Sequence, residues 1–171
     1  MKLQKYVYFP LIVGGLAFLI QIADQLLGPC VPPDGNKGFG WIAFQSWAVY
    51  FLAGGNIKGG IKAFLGYAIG IIASMIIMTL GGWFSALQFL AVPLAVGLVA
   101  FTLIFFERTT WLSLIPAMFI GAGAFFAFMN YVEKSFMHGA ITVMIYCLLG
   151  LIFGFATITL KTHFEKRMNK E

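Results

Sequence analysis

The sequence predicts an all-α polytopic membrane protein with six transmembrane helices, and three observations carry that reading. The first is apolarity. Of 171 residues, 61% are hydrophobic and 10% charged, with a mean hydropathy of +0.93, whereas about a quarter of the residues of a soluble domain carry charge. Lipid is the expected solvent, and the chain reads as a single transmembrane domain, residues 1–171. The second is segmentation: a helix needs roughly 20 apolar residues to cross a hydrocarbon core of about 30 Å, and glycine, proline or charge divides the chain into six such runs. The third is the placement of basic residues. Across those six runs Lys2, Lys5, Lys58, Lys62, Arg108, Lys161, Lys166, Arg167 and Lys170 fall on one side and only Lys37 and Lys134 on the other. By the positive-inside rule both termini are then cytoplasmic.

Residues 6–27 form the first run, closed by Gly28-Pro29 and by a loop over 31–37 whose prolines and glycines cannot continue a helix. Lys2 and Lys5 before an apolar stretch imitate a signal peptide, but the stretch is too long and lacks a small-x-small cleavage site. Pro29 directly before Cys30 argues against lipoprotein processing. Residues 38–53 form the second run and end on Gly54-Gly55-Asn56. The third, 61–80, is closed by Gly81-Gly82-Trp83. The fourth, 84–106, holds Pro93 and Gly97 as an expected kink and ends in a tight turn over 107–110. The fifth, 111–129, is interrupted by Pro116 and carries Gly121-Ala122-Gly123-Ala124. A polar loop over 130–138 leads to the sixth, 139–160, and a basic tail, 161–171, is expected to fray into water. Cys30 falls in a loop and Cys147 inside a helix, so no disulfide is expected.

The halves echo each other. Trp41 and Trp111 open the middle helix of each, and Tyr67 with Gly70 and Tyr146 with Gly150 mark each third helix. Three spans per half would invert one half against the other, a 3+3 inverted repeat of the kind that places a transport site at the repeat interface.

Polar groups inside a bilayer are costly, so Gln21, Asp24, Gln45, Ser46, Lys62, Ser74, Gln88, Thr102, Asn130, Thr142 and Thr157 need reasons to be there. Gln21, Asp24, Gln45, Ser46 and Gln88 fall towards the outer ends of their helices, where they either line a vestibule or are solvated at headgroup depth. In the second helix Trp41, Gln45, Ala48 and Leu52 share one face, with Phe44 alongside and Trp47 and Tyr50 on a neighbouring one. Aromatic rings around one amide can frame a narrow constriction; the same residues also suit plain packing beneath an interfacial Trp belt. The following Gly54-Gly55-Asn56 break either dips into the membrane, where its carbonyls would meet an ion or solute, or turns the chain at the surface. Trp41, Phe44, Gln45, Trp47, Tyr50, Gly54, Gly55, Asn56, Gln88 and Thr102 are therefore the candidate pore-lining set. Gly121, Gly123, Gly150 and Gly154 are expected to pack helices, including between copies of a homo-oligomer.

Enzymatic constellations are poor. His138 and His163 fall on opposite sides, no serine or cysteine has a nearby base, and no two acids pair within the bilayer. No metal-ligand spacing occurs, the glycine runs do not follow a strand, and the basic tail suits anionic lipid better than nucleic acid. No enzyme, cofactor or metal is expected.

Trp41-x-x-Phe44-x-x-Trp47-Ala48-x-Tyr50-Phe51-x-x-Gly54-Gly55-x-x-Lys58-Gly59, followed by Ser113-x-x-Pro116-x-x-Phe119-x-Gly121 and by Gly150-Leu151-Ile152-Phe153-Gly154, resembles the bacterial inner-membrane family of unknown function that includes YcdZ. The resemblance runs from about Gly38 onward, with the Pro-rich first loop less family-like. It implies a small multi-pass protein of the bacterial inner membrane and transfers no catalytic residue. The functional expectation is a channel or facilitator for a small polar solute or ion. The alternative is a non-transporting scaffold or accessory subunit of a partner membrane protein.

Overall fold

The computed structural model of the protein describes residues 3–168, with side chains from residue 7 onward. Lys2 and Lys170, part of the charge argument, lie outside the described residues, as does the side chain of Lys5. The fold is all-helical: α1 Leu3–Leu27, α2 Gly40–Leu52, α3 Ile57–Trp83, α4 Ala91–Ile104, α5 Ile115–Tyr131 and α6 Phe136–Met168. Four segments, Val7–Cys30, Ile57–Trp83, Ser85–Arg108 and Phe136–Met168, are long and apolar enough to cross a membrane. The 13 residues of α2 and the 17 of α5 reach only about 20 Å and about 26 Å at 1.5 Å per residue.

Local chemistry explains the short helices. Beyond α2, Gly54 and Gly55 adopt φ of 93° and 60°, and their N–H groups donate back to the carbonyls of Phe51 and Tyr50 at 3.0 Å each. This paired closure needs left-handed residues just past the helix end, a conformation glycine takes without steric cost. Asn56 then starts α3, its side-chain oxygen accepting from the Gly59 N–H at 2.9 Å. The glycine break is thus a tight turn between two helices. Pro116 does not interrupt the fifth helix but opens it, standing where a missing N–H costs nothing.

Three further boundaries differ from expectation. The third helix begins at Ile57 and runs through Gly81-Gly82-Trp83; glycine lowers helix propensity by only about 1 kcal/mol and does not by itself end a helix. In the fourth, the irregular residue is Gln88, with φ 50° and ψ −120°, within a 3-10 segment. Pro93 sits in the first turn of α4, where its absent donor has no role. The tail does not fray at residue 161; α6 continues to Met168, and Phe164 stacks on Tyr8 with centroids 6.1 Å apart.

The two halves exchange partners. α2 lies against α6 and α5 against α3, while the peripheral helices cross over in the same way, α1 onto α6 and α4 onto α3. One end of the bundle gathers the Tyr8–Phe164 stack, Gly55 beside Ile158, and a bond from Lys62 Nζ to Ser113 Oγ at 3.2 Å. The opposite end gathers Thr142, bonded to the Pro32 carbonyl at 2.6 Å, and Phe39 against Phe128 and Tyr146. Both ends of the described chain therefore lie at one end of the bundle, and α1 and α4 run in opposite directions.

Small residues draw both seams together. A Cβ at Gly70 would strike the Met118 carbonyl and lie 2.8 Å from the Ala122 nitrogen; at Gly150 it would strike the Ala43 carbonyl and lie 2.8 Å from the Trp47 nitrogen. Close backbone approach of this kind is how helices associate where lipid removes the hydrophobic drive. Gly121 meets the Tyr67 backbone and Gly154 the Tyr50 side chain, so these two and Gly150 are used inside the chain and are not left for contact between copies. Gly123 has no such neighbour and faces outward.

Candidate functional site

The polar interior begins beneath the loop between α1 and α2. Asn36 organises that loop: its Nδ2 donates to the carbonyls of Gly28, Val31 and Pro33 at 2.8, 2.7 and 3.0 Å, and its Oδ1 accepts from Gly38 N–H at 2.7 Å. The loop delivers Phe39 between the rings of Phe128 and Tyr146, 5.6 Å from each. Its backbone N–H reaches Oδ1 of Asp24 at 2.8 Å. Asp24, in the last turn of α1, is 7% exposed, and its carboxylate occupies the space that side chains at Gly38 and Gly40 would need. A carboxylate at the start of α2 meets unpaired N–H groups and the positive end of the helix dipole. The expectation that Asp24 is solvated at headgroup depth is corrected here: the loop and the α2 N-terminus bury it.

Deeper in the bundle, Ser46 Oγ donates to the Cys147 carbonyl at 2.6 Å. Trp47 Nε1 donates to Thr157 Oγ1 at 2.9 Å, and that hydroxyl donates to the Phe153 carbonyl at 2.7 Å. Between these bonds and Asp24 stand two fully buried tyrosines, Tyr67 of α3 and Tyr146 of α6. Their hydroxyls have no hydrogen-bond partner. The Tyr67 hydroxyl is turned to Ser46 and the Tyr146 hydroxyl to the Asp24 carboxylate and the Phe39 backbone, neither within bonding geometry. The result is a column of polar groups from Asp24 to Thr157, enclosed by α1, α2, α3 and α6 and by apolar side chains.

A family model matches residues 8–161. The chain belongs to the DUF1097 family, proteins of unknown function. No curated protein and no solved structure matches it. The matched residues take in most of α1 and the Pro-rich loop.

Within this DUF1097 fold the expected pore-lining residues do not converge. Trp41, Gln45, Ala48 and Leu52 form an exposed stripe, and Gln45 opens onto an apolar groove of about 590 Å³ between α2 and α5, lined also by Val49, Ile115 and Phe119. Trp47 and Tyr50 point the other way, into the protein, with half-buried Phe44 stacked on Trp47 at 5.8 Å. Gly54, Gly55 and Asn56 form the turn, where the Gly54 carbonyl accepts from Asn56 Nδ2 at 3.2 Å. Gln88 and Thr102 are exposed on the peripheral fourth segment, the Thr102 hydroxyl bonded to the Val99 carbonyl at 2.7 Å. The outer vestibule does not assemble either, since Ser46 is fully buried while Gln45 and Gln88 face outward. Tyr67 and Tyr146 were absent from the expected set. Their signal was the paired Tyr and Gly of the two third helices, which marked the repeat and not a site.

Proposed function

We propose that this DUF1097 protein passes a small polar solute or ion across the bacterial inner membrane, with both termini cytoplasmic, along the polar column between α2, α3 and α6. The narrower kinship with the inner-membrane group that includes YcdZ belongs to the same reading, which is of a non-enzymatic protein. One observation carries it: the buried, unpartnered hydroxyls of Tyr67 and Tyr146. A buried polar group without a partner costs about 1–3 kcal/mol, and hydrocarbon offers no water to relieve it. Phenylalanine would fill the same volume without that cost. Two such hydroxyls, one from each third helix, beside Ser46 and Asp24, offer a passing solute the partners they lack, and the seam between inverted halves is where transport sites are built.

The path so proposed uses the inner face of α2 instead of its Gln45 face. In proteoliposomes tested with a panel of small polar solutes and ions, Tyr67→Phe is expected to reduce flux at least tenfold, whereas Gln45→Leu leaves it unchanged. The reverse pattern would move the path to the groove between α2 and α5. A second reading, a scaffold or accessory subunit, draws on that open apolar groove. No flux of any tested species through folded protein would favour it.

A further inference from the structure

The outer face of the α2–α5 pair carries an amide where lipid tails would be its solvent. Gln45 stands five residues from the start of α2 and seven from its end, about 8 Å and about 11 Å along the axis at 1.5 Å per residue. Neither helix end therefore brings it to headgroup depth. Its side chain is exposed and opens onto the groove of about 590 Å³ between α2 and α5. The walls of that groove, Ala48, Val49 and Leu52 from α2 and Ile115, Pro116 and Phe119 from α5, hold no polar side chain. A carboxamide has two donor hydrogens and an acceptor oxygen, and hydrocarbon leaves all of them unpaired at a cost. The other exposed polar groups named for the interior differ. Thr102 bonds the Val99 carbonyl of its own helix, and Gln88 lies in the 3-10 segment that precedes α4.

α2 and α5 are also the two helices that fall outside the four long apolar segments. A helix shorter than the hydrocarbon thickness is accommodated by a thinned bilayer or by association with further protein. The groove, the amide and the short helices thus lie on one face.

Lipid tails would fill the groove but give the amide nothing. A second copy gives it a partner of matching chemistry at matching depth. Two copies inserted the same way round are related by a twofold axis along the membrane normal, and such an interface is isologous: a residue near the axis meets its own counterpart. A carboxamide is its own complement, because the N–H of each can donate to the oxygen of the other. No charged residue lies among the groove walls, so like charges do not oppose each other across the axis.

We propose that the α2–α5 face is the interface of a parallel homodimer, closed by a reciprocal hydrogen bond between the Gln45 side chains of the two copies. The dimer does not rest on the transport reading. Each copy keeps its own polar column on the inner side of α2, while the interface uses the outer side.

The test is disulfide crosslinking of the full-length protein in membranes, with Cys30 and Cys147 replaced by serine and alanine. Ala48→Cys, on the exposed stripe one turn from Gln45, is expected to yield a crosslinked dimer. Leu98→Cys, equally exposed but on α4, is expected to remain monomeric. Subunit counting in bilayers over a range of protein-to-lipid ratios then measures the strength of the association. Gln45→Leu, which alters only an exposed side chain, is expected to weaken it roughly three- to tenfold, the range of interhelical hydrogen bonds in membranes. Gln45→Asn, which keeps the amide, is expected to restore part of that loss. Monomers at every ratio, or crosslinking through Leu98→Cys in place of Ala48→Cys, would overturn the interface. A dimer as tight in Gln45→Leu as in the parent would overturn the amide pairing. A monomer whose position 48 crosslinks to a different protein, or whose groove retains a phospholipid on native mass spectrometry, would give the face to another occupant and overturn the dimer. None of these outcomes depends on flux, so the interface and the transport reading stand or fall separately.

Discussion

The seam between α2 and α6 and the seam between α3 and α5 are built by one device and filled with different chemistry. In both, parallel helices approach until backbone meets backbone, at Gly150 against α2 and at Gly70 and Gly121 between α3 and α5. The α3–α5 seam is nearly dry: Ser74 Oγ bonds its own helix at Gly70 and reaches the Ala122 carbonyl at 3.3 Å. Across the α2–α6 seam run the Ser46 and Trp47 hydrogen bonds, with Asp24 bonded to the Phe39 N–H at one end and the buried, unpartnered hydroxyls of Tyr67 and Tyr146 alongside. Packing alone requires none of these polar groups, as the dry seam demonstrates. Their concentration in one of the two seams is what sets that seam apart.

The comparison breaks most severely if the shared device is removed. A methyl at Gly70 or Gly150 runs into backbone, which cannot give way as a flexible side chain can. Gly70→Ala and Gly150→Ala are each expected to cost at least about 2 kcal/mol, the range of overpacked cores, read as a lowered thermal midpoint in detergent. Gly123→Ala, with nothing within 4 Å, is the matched control and should leave the midpoint where it is or slightly higher. Equal effects at all three positions would mean that the seams are not close-packed.

A smaller effect sharpens the difference between the seams. Trp47→Phe keeps the aromatic packing against Phe44 and Phe153 but deletes the donor to Thr157. Because the Thr157 hydroxyl still donates to the Phe153 carbonyl, the expected loss is about 1 kcal/mol, at the upper side of interhelical hydrogen bonds in membranes. Ser74→Ala, in the dry seam, should lose less, since its main bond lies within its own helix.

The six helices were legible because apolar runs and their breakers are local properties. Helix ends were less so. Gly81 and Gly82 look like a stop but lie within α3, while Pro116 looks like a break and is a start; which role such residues play depends on the neighbouring backbone, not on composition. The site was least legible. On a helical wheel Gln45 and Ser46 are one residue apart and equally plausible, yet one opens onto a surface groove and the other bonds the Cys147 carbonyl. Only the docking of α6 along α2 decides between them, and that contact spans about 100 residues of sequence, |i−j| = 101 for Ser46 and Cys147.

The smallest stability effect has the opposite sign and bears most directly on function. Tyr67→Phe removes a hydroxyl that has no partner in the folded chain, so no hydrogen bond is lost and the ring's packing remains. Relief of an unpaired buried group should leave the thermal midpoint unchanged or raise it, by up to about 1 kcal/mol of stability. A protein under no demand but to fold would gain from that change. If Tyr67→Phe is as stable as the parent and transports at least tenfold less, the hydroxyl is kept for what passes it. If it is clearly less stable, the hydroxyl has a structural partner after all, and the polar seam loses the feature that sets it apart from the dry one.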